Sequence, residues 1–243
     1  MKTSPRLAQL CALAVLAAPL GLLGATNEEA IKILGLTKFV EPRFPDVARL
    51  DGFAVGYATV AVTRTPEGEP VDVLVLSATH PRMADAAVEA VRQWRFAPSH
   101  NPADHLAART VRIGFKLSGL VVFPFGKDMH EDAATDFSAL KLDEPVVVPS
   151  LQSLAQKPKA LVQPMPVYPA TLVSRKVAGH AAVSFYVDEE GRVRLPQVTD
   201  ATAPEFAAAA LAAVTQWRYE PPQLGGRNIV ASDNWEFKFK ATN

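Results

Sequence analysis

The sequence predicts an α+β protein of two tandem ββαβ modules, each a small antiparallel sheet with one helix packed on a face. Three observations predict this: an internal repeat, paired segments of alternating polarity, and a helix-period segment after each pair. The Trp94-Arg95-Phe96 motif recurs as Trp217-Arg218-Tyr219, 123 positions later. An ordered repeat of this kind indicates duplicated structural units. Three more pairs share the offset: Gly56 and Gly179, Gly68 and Gly191, Pro98 and Pro221.

The first two strands of each module are predicted from period-two alternation, which is typical of a strand with one buried face. In the second module the alternating run 181–187 is followed by the turn sequence 188–191 and a second strand from Arg192 to about Thr199. Pro196 lies inside that second strand, so we expect the strand to be at a sheet edge or bulged. The first module repeats the scheme over 58–62, 66–68 and 71–76.

A helix and a last strand complete each module. Thr202-Ala203-Pro204-Glu205 has the form of a capping box, and apolar residues follow it at 3.6-residue spacing up to Trp217. Proline ends both helical segments, near Pro98 and Pro221. The last strands are predicted from the alternating apolar residues of 111–117 and 235–239.

The N-terminus predicts export from the cytoplasm. Lys2 and Arg6 precede the apolar run 7–23, and polar residues follow from Thr26. This order favours a cleaved signal peptide, although the run is long enough to act as an N-terminal membrane anchor. We therefore expect a periplasmic protein, or one anchored in the inner membrane and facing the periplasm. The predicted domains are 1–25, signal peptide or anchor; 40–118, first module; 119–160, a Pro-containing linker; and 161–243, second module.

Composition argues against several functional classes. The 25 basic and 25 acidic side chains balance, whereas a nucleic-acid-binding protein normally carries a basic excess. The single cysteine, Cys11, rules out a disulfide framework. The histidines show no zinc-like spacing, and no nucleophile, phosphate-loop or dinucleotide motif is present. We predict no enzyme activity, no cofactor, no metal and no nucleic-acid partner.

Several segments of the second module resemble the C-terminal domain of the TonB family. They are Gln163-Pro164, Tyr168-Pro169-Ala170, Val177-Ala178-Gly179, Phe185-Tyr186-Val187, Gly191-Arg192-Val193 and Trp217-Arg218-Tyr219-Glu220-Pro221. The first module resembles the family less fully, through Phe44-Pro45, Gly56, Gly68, Asp85-Ala86-Ala87 and Trp94-Arg95-Phe96-Ala97-Pro98. Family members have a small antiparallel sheet with a helix on one face.

The resemblance implies a function in the cell envelope. Family members bind a short extended peptide of an outer-membrane receptor by adding it to an exposed sheet edge, in support of transmembrane transport. In this chain the implied acceptor is the last strand of the second module, aided by residues of the lead-in and first strand. The candidate peptide-binding residues are Gln163, Tyr168, Tyr186, Asn234, Trp235, Glu236, Phe237, Lys238 and Phe239.

Three functional hypotheses remain open. The protein is a peptide-binding envelope protein, with an outer-membrane receptor or another envelope protein as partner. Alternatively, it is a structural scaffold whose modules pair with each other edge to edge, with possible self-association through sheet edges. Energy transduction is a third hypothesis, which requires the N-terminal segment to stay as an anchor. For Tyr168 two roles are open: ordering the start of the second module, or bordering a peptide groove.

Overall fold

The computed structural model describes residues 31, 34–100, 107–117 and 146–240. Within these ranges it contains two modules of the predicted type, so the predicted α+β fold class is confirmed. The leader, most of the linker and the last three residues lie outside the described residues, as do the predictions made for them.

The first module has a three-stranded antiparallel sheet in which β2 (Val55–Arg64) lies between β3 (Pro70–Ala78) and β5 (Arg109–Lys116). Its long helix packs on one face of the sheet, over β2 and β3. The elements are β1 (Leu36–Lys38), a short helix (Asp46–Leu50), β2 (Val55–Arg64), β3 (Pro70–Ala78), the long helix (Pro81–Arg92), β4 (Arg95–Phe96) and β5 (Arg109–Lys116). The short strands β1 and β4 pair with each other beside the main sheet.

The second module repeats this plan with the sheet order β12-β7-β8. Its elements are a 3-10 turn (Leu151–Ser153), β6 (Ala160–Val162), a short helix (Ala170–Val173), β7 (Gly179–Val187), β8 (Val193–Ala201), the long helix (Pro204–Val214), β9 (Arg218–Tyr219), a small hairpin of β10 (Gln223–Leu224) and β11 (Arg227–Asn228), and β12 (Ala231–Phe239). The strand containing Pro196 lies at a sheet edge and its pairing with β7 is irregular, as predicted.

The turn glycines connect each hairpin to the Trp-Arg-aromatic motif. Gly68 and Gly191 have φ of +91° and +79°, a region in which a side chain is strained. A Cβ on Gly191 would lie 2.0 Å from the Tyr219 carbonyl oxygen, and one on Gly68 would lie 2.0 Å from that of Phe96. The glycine carbonyls in turn accept the N–H groups of Tyr219 and Phe96. Both positions therefore need glycine for conformation and for space.

Gly56 and Gly179 lie where an added side chain would meet neighbouring side chains. Neither is among the positive-φ glycines, but a Cβ on Gly179 would lie 2.1 Å from the Thr202 hydroxyl. That hydroxyl accepts the His180 N–H at 2.9 Å.

The capping-box prediction is therefore wrong: Ala203 is the N-cap, no side chain caps it, and Thr202 is engaged by the neighbouring strand.

The two modules pack against each other through the sheet faces that do not carry the long helices. A small apolar cluster lies between the faces, formed by Ala61 and Leu74 with Tyr186 and Leu195. The Arg194 guanidinium binds the Asp72 carboxylate across this contact, with an Nε–Oδ2 distance of 2.9 Å. The modules therefore pair as the scaffold hypothesis supposed, but they do so face to face and not edge to edge, because these faces carry the apolar side chains that need burial. The resulting order of layers is helix, sheet, sheet, helix.

Candidate peptide-binding edge of the second module

The last strand of the second module, β12, lies at the edge of its sheet. It pairs antiparallel with β7 along its whole length, from Ala231 opposite Val187 to Phe239 opposite Gly179. Phe237 and Phe239 are buried against the helix face, while the three residues 234–236 and Lys238 are exposed. The edge thus combines a buried inner side with exposed residues from Asn234 onward.

The backbone groups on the outer side of β12 belong to its even-numbered residues. The Ser232 N–H donates to the Pro149 carbonyl at 2.8 Å, outside the sheet. Because backbone groups alternate in direction along an antiparallel strand, those of Asn234, Glu236 and Lys238 also point outward. Among the described residues, no main-chain group pairs with Glu236 or Lys238 on this side.

A linker segment occupies the beginning of this edge. We call residues Pro149–Leu154 the clip. Ser150 forms an isolated parallel bridge with Ser232, and the Gln152 side-chain amide donates to Asp233 Oδ2 at 3.3 Å. Leu151 and Leu154 are buried in the core of the second module. These residues belong to the predicted Pro-containing linker, and the structure shows that this part of it is packed onto the module.

An exposed tryptophan lies beside the open part of the edge. Trp235 is 40% exposed, and its ring packs edge-on against the buried Trp217 with a centroid separation of 5.6 Å. The Trp217 indole N–H donates to the Pro164 carbonyl at 2.9 Å, which ties the lead-in to the core. Gln163 precedes that carbonyl and is exposed. The lead-in and Trp235 are therefore linked through Trp217.

Tyr168 orders the start of the second module. Its hydroxyl donates to the Val177 carbonyl at 2.5 Å, and its ring packs edge-on against Phe206 and Phe239. Phe239 is the last residue of β12, so Tyr168 supports the end of the candidate edge from its core side. It is half-buried and does not lie along the outer side of the strand.

Tyr186 lies away from the edge, on the middle strand of its sheet. It is 5% exposed and belongs to the cluster between the modules. Burial raises the pKa of its phenol, so the hydroxyl stays protonated at neutral pH. The structure therefore separates Tyr186 from Gln163 and from the candidate residues of β12.

Two buried ionisable groups stand next to the beginning of the edge. Burial raises the pKa of Asp233, against the opposing hydrogen bonds from the Asn234 N–H and Gln152. Burial and the negative charge of Asp233 raise the pKa of Tyr219. The beginning of β12 therefore lies beside two buried acidic groups, Asp233 and Tyr219, and the exposed residues of the strand begin at Asn234.

Sequence reasoning did not find the contribution of the clip. Leu151 and Leu154 are 3% and 5% exposed, although they lie in a proline-containing stretch that was expected to be a spacer. The signal for this contact in the sequence was the Leu-x-x-Leu spacing of Leu151 and Leu154. Gln152 and Asp233 were also missed, because their contact joins positions 81 residues apart.

Within the described ranges, no three His, Cys, Asp or Glu side chains come together in a way that could hold a metal ion. None of the helices in the part of the chain that the structure describes has the length and apolar character that a membrane crossing requires.

The features present at β12 are hydrogen-bonding groups of the main chain, a half-exposed indole and side chains of both charges.

These features define a class of protein: a tandem-domain protein with small antiparallel sheets, one of which ends in an accessible edge strand. The chain belongs to the family described as Gram-negative bacterial TonB protein C-terminal, whose model matches residues 40–117 and 164–240. The resemblance inferred from the sequence motifs is thereby confirmed for both modules.

The chain is also similar to one named protein and to two solved structures. The protein TonB of Escherichia coli (strain K12) is 35% identical over 91 residues, and the match covers 37% of each chain. A solution NMR structure of the Pseudomonas aeruginosa TonB CTD is 28% identical, with a TM-score of 0.33, and the match covers 37% of this chain and 93% of that one. A tonb2 protein from Vibrio anguillarum is 22% identical with a TM-score of 0.28, covering 51% and 98%.

Proposed function

We propose that the second module binds an extended peptide segment of an envelope protein, by strand addition along residues Asn234–Phe239 of β12. The observation that carries the proposal is the edge itself: beyond the clip, the outward backbone groups of Glu236 and Lys238 have no main-chain partner among the described residues. Unpaired edge groups are a template for another strand. The protein acts in this proposal as a binding protein, not as an enzyme.

Main-chain hydrogen bonds supply the affinity in this mode, and neighbouring side chains supply the selectivity. Each added backbone hydrogen bond contributes about 1 kcal/mol net. Trp235 offers an apolar contact on the helix side of the edge, where it is 40% exposed. Glu236 and Lys238 present opposite charges on the other face, because side chains alternate along a strand.

The proposed partner is the periplasm-facing extended segment of an outer-membrane transport receptor. Family membership and the relative described as protein TonB support this choice. The matched region spans 37% of that relative, so the activity of the whole relative is not transferred to this chain. We place the protein in the periplasm after removal of the leader, with energy transduction as the alternative if the leader remains as an anchor.

The proposal is tested with synthetic peptides of the periplasm-facing segments of outer-membrane receptors from the source bacterium, titrated by NMR or calorimetry. Lys238→Pro removes an outward N–H and leaves the pairing with β7 in place, because proline is tolerated on the open side of an edge strand. We expect binding to weaken at least tenfold in this variant.

Gly114→Pro is the matched control, since Gly114 occupies the corresponding place on β5 of the first module. We expect it to leave peptide affinity unchanged. An equal loss in both variants, or no binding to the unmodified chain at millimolar peptide, contradicts the proposal.

A structural role is a second candidate, and the contact between the two modules favours it. Tyr186 and Leu195 are buried against the first module, and Arg194 binds Asp72 across the contact. In that case the modules would act as one rigid spacer in an envelope assembly. Arg194→Ala separates the two roles, because it weakens the contact between the modules and leaves the edge at Glu236 and Lys238 unchanged. Peptide binding persists in this variant only if the edge is the functional feature.

A further inference from the structure

We infer that the clip is a built-in stop that fixes where an added strand can begin on β12, and so limits the length and register of the partner. The inference rests on the proposed function, and it concerns the selectivity of that same edge. It assigns a role to the linker residues Pro149–Leu154 and to Asp233, which lie outside the predicted set of binding residues.

The first step of the argument is that the clip uses the same backbone group that a partner would need. The Ser232 N–H donates to the Pro149 carbonyl at 2.8 Å, and Ser150 bridges Ser232 in the parallel sense. After Ser150 the chain leaves the edge as a 3-10 turn. The Ser150 hydroxyl caps this turn by accepting the Gln152 N–H at 3.2 Å. The clip therefore pairs with one position of β12 and then turns away.

The second step is that the clip is anchored. Leu151 and Leu154 are 3% and 5% exposed and belong to the same core as Trp217 and Phe237. Burial of a leucine side chain stabilises the folded state in proportion to the apolar surface that it removes from water. A partner that displaced the clip would lose both leucine contacts and gain only the few hydrogen bonds of the uncovered positions.

The third step is that Asp233 blocks the next outward position. Its Oδ1 accepts the Asn234 N–H at 2.9 Å, and its Oδ2 accepts the Gln152 amide of the clip at 3.3 Å. The Lys157 ammonium donates to the Gln152 side-chain oxygen at 3.3 Å and orients the amide. The outward N–H groups of Ser232 and Asn234 are thus both occupied from within the chain.

The acceptor that remains begins at the Asn234 carbonyl and continues through Glu236 and Lys238. At about 3.3 Å per residue, this stretch accommodates a partner strand of about six residues, or ~20 Å. Longer partners would collide with the clip unless their chain turned away from the sheet. In the first module Arg109 stands at the position of Asp233, so no carboxylate is placed there to cover the next N–H.

The test is a length series of one receptor-derived peptide that binds the unmodified chain, with about six, eight and ten residues. In the unmodified full chain we expect affinity to stop improving beyond about six residues. Releasing the clip with Leu151→Asp and Leu154→Asp together should let affinity rise about tenfold over the next two residues, the effect of one or two further hydrogen bonds.

Asp233→Ala is a second variant that leaves the leucine anchors in place, and it keeps the test decisive if the double variant does not fold. It frees the Asn234 N–H and removes the acceptor of the Gln152 amide. We expect a gain of about threefold to tenfold for the longer peptides and none for the shortest. Ser153→Ala is the matched control, because the hydrogen bond that the Ser153 hydroxyl makes among the described residues goes to the Ser150 carbonyl and not to β12.

The outcomes separate the two claims. If unmodified and variant chains bind with the same dependence on peptide length, the stop is overturned while the binding function stands. If no peptide binds the unmodified chain, the proposed function is overturned and the stop with it. A plateau in the unmodified chain that disappears in Asp233→Ala and in the released clip supports the inference.

Discussion

The two modules share their framework and differ at their edges. Trp94 and Trp217 each donate an indole N–H to a lead-in carbonyl, at 2.8 and 2.9 Å. Arg95 and Arg218 each donate to the carbonyl of the preceding tryptophan at 2.7 Å. The tryptophan contacts tie the end of each long helix to the lead-in of its module, so both copies share this framework.

The differences fall on the final strand and its surroundings. Opposite the shared glycines, Phe115 and Phe239 occupy equivalent places, and counting back from them aligns Val111 with Trp235 and Arg109 with Asp233. In the first module, Phe39 of the lead-in packs on Trp94, whereas in the second Trp235 of the edge strand packs on Trp217. The comparison teaches that one aromatic contact of the core tryptophan comes from the lead-in in the first module and from the accessible edge strand in the second.

The largest expected effect breaks the shared framework. Gly191→Ala places a Cβ 2.0 Å from a backbone oxygen at a φ of +79°, and Gly68→Ala does the same at +91°. We expect each to lower the free energy of unfolding by about 3 kcal/mol, since strain and a backbone clash combine. Denaturant unfolding measures the loss.

Gly225→Ala is the control for that pair. It has a φ of +59° but nothing within 4 Å of the added Cβ, so only the conformational cost of about 1 kcal/mol is expected. Equal losses at Gly191 and Gly225 would contradict the role given to the Tyr219 carbonyl.

The next effect distinguishes folding from binding. Trp94→Phe and Trp217→Phe each remove the indole donor and leave a lead-in carbonyl without its partner, at a cost of about 2 kcal/mol. We expect similar stability losses from the two variants. Only Trp217→Phe should also weaken peptide binding, because Trp217 supports Trp235. Parallel unfolding and peptide titrations measure both quantities, and equal binding in the two variants would contradict the asymmetry.

The smallest effect depends on pH and belongs to the second module alone. Burial of Asp188 would raise its pKa, but hydrogen bonds from Arg192 and Arg194 outweigh burial and lower the pKa below its ordinary value of 3.8. The contribution to stability is therefore present above that value and is lost as pH falls through the lower, folded-state pKa. Thr65 stands at the equivalent turn position and has no carboxyl group to titrate.

We expect Asp188→Asn to cost about 1 kcal/mol at neutral pH and to become neutral in strong acid, when unfolding is measured across the pH range. Asp233→Asn should act in the opposite sense. Burial raises the pKa of Asp233, so its ionisation costs stability as pH rises through the folded-state value. A loss at neutral pH from Asp233→Asn would contradict this account.

The strands, hairpins, long helices and tryptophan anchors could be predicted because each leaves a local period or a repeated motif. Contacts between distant segments could not. The edge position of β12 followed from the family resemblance, but the clip depends on Leu151 and Leu154 finding a core far along the chain. Tyr186 was placed among the candidate peptide-binding residues because strand alternation gives a side chain its face without identifying what covers that face.

The capping prediction was wrong for a related reason. Thr202 has the residue type that caps a helix, but its hydroxyl accepts the His180 N–H of β7 instead of an N–H of the helix. In the first module a cap is present, since the His80 ring accepts the Arg82 N–H at 3.1 Å. A motif specifies what a side chain can do, and the tertiary structure selects the partner.

The contact between the modules has a consequence for behaviour on dilution. Separate single modules that met through the same faces would dissociate as their concentration fell. Here one polypeptide carries both faces, so their encounter is intramolecular and its occupancy does not depend on how many copies a cell contains. Arg194 and Asp72 therefore stay paired at any abundance, and the burial of Tyr186 and Leu195 needs no second molecule.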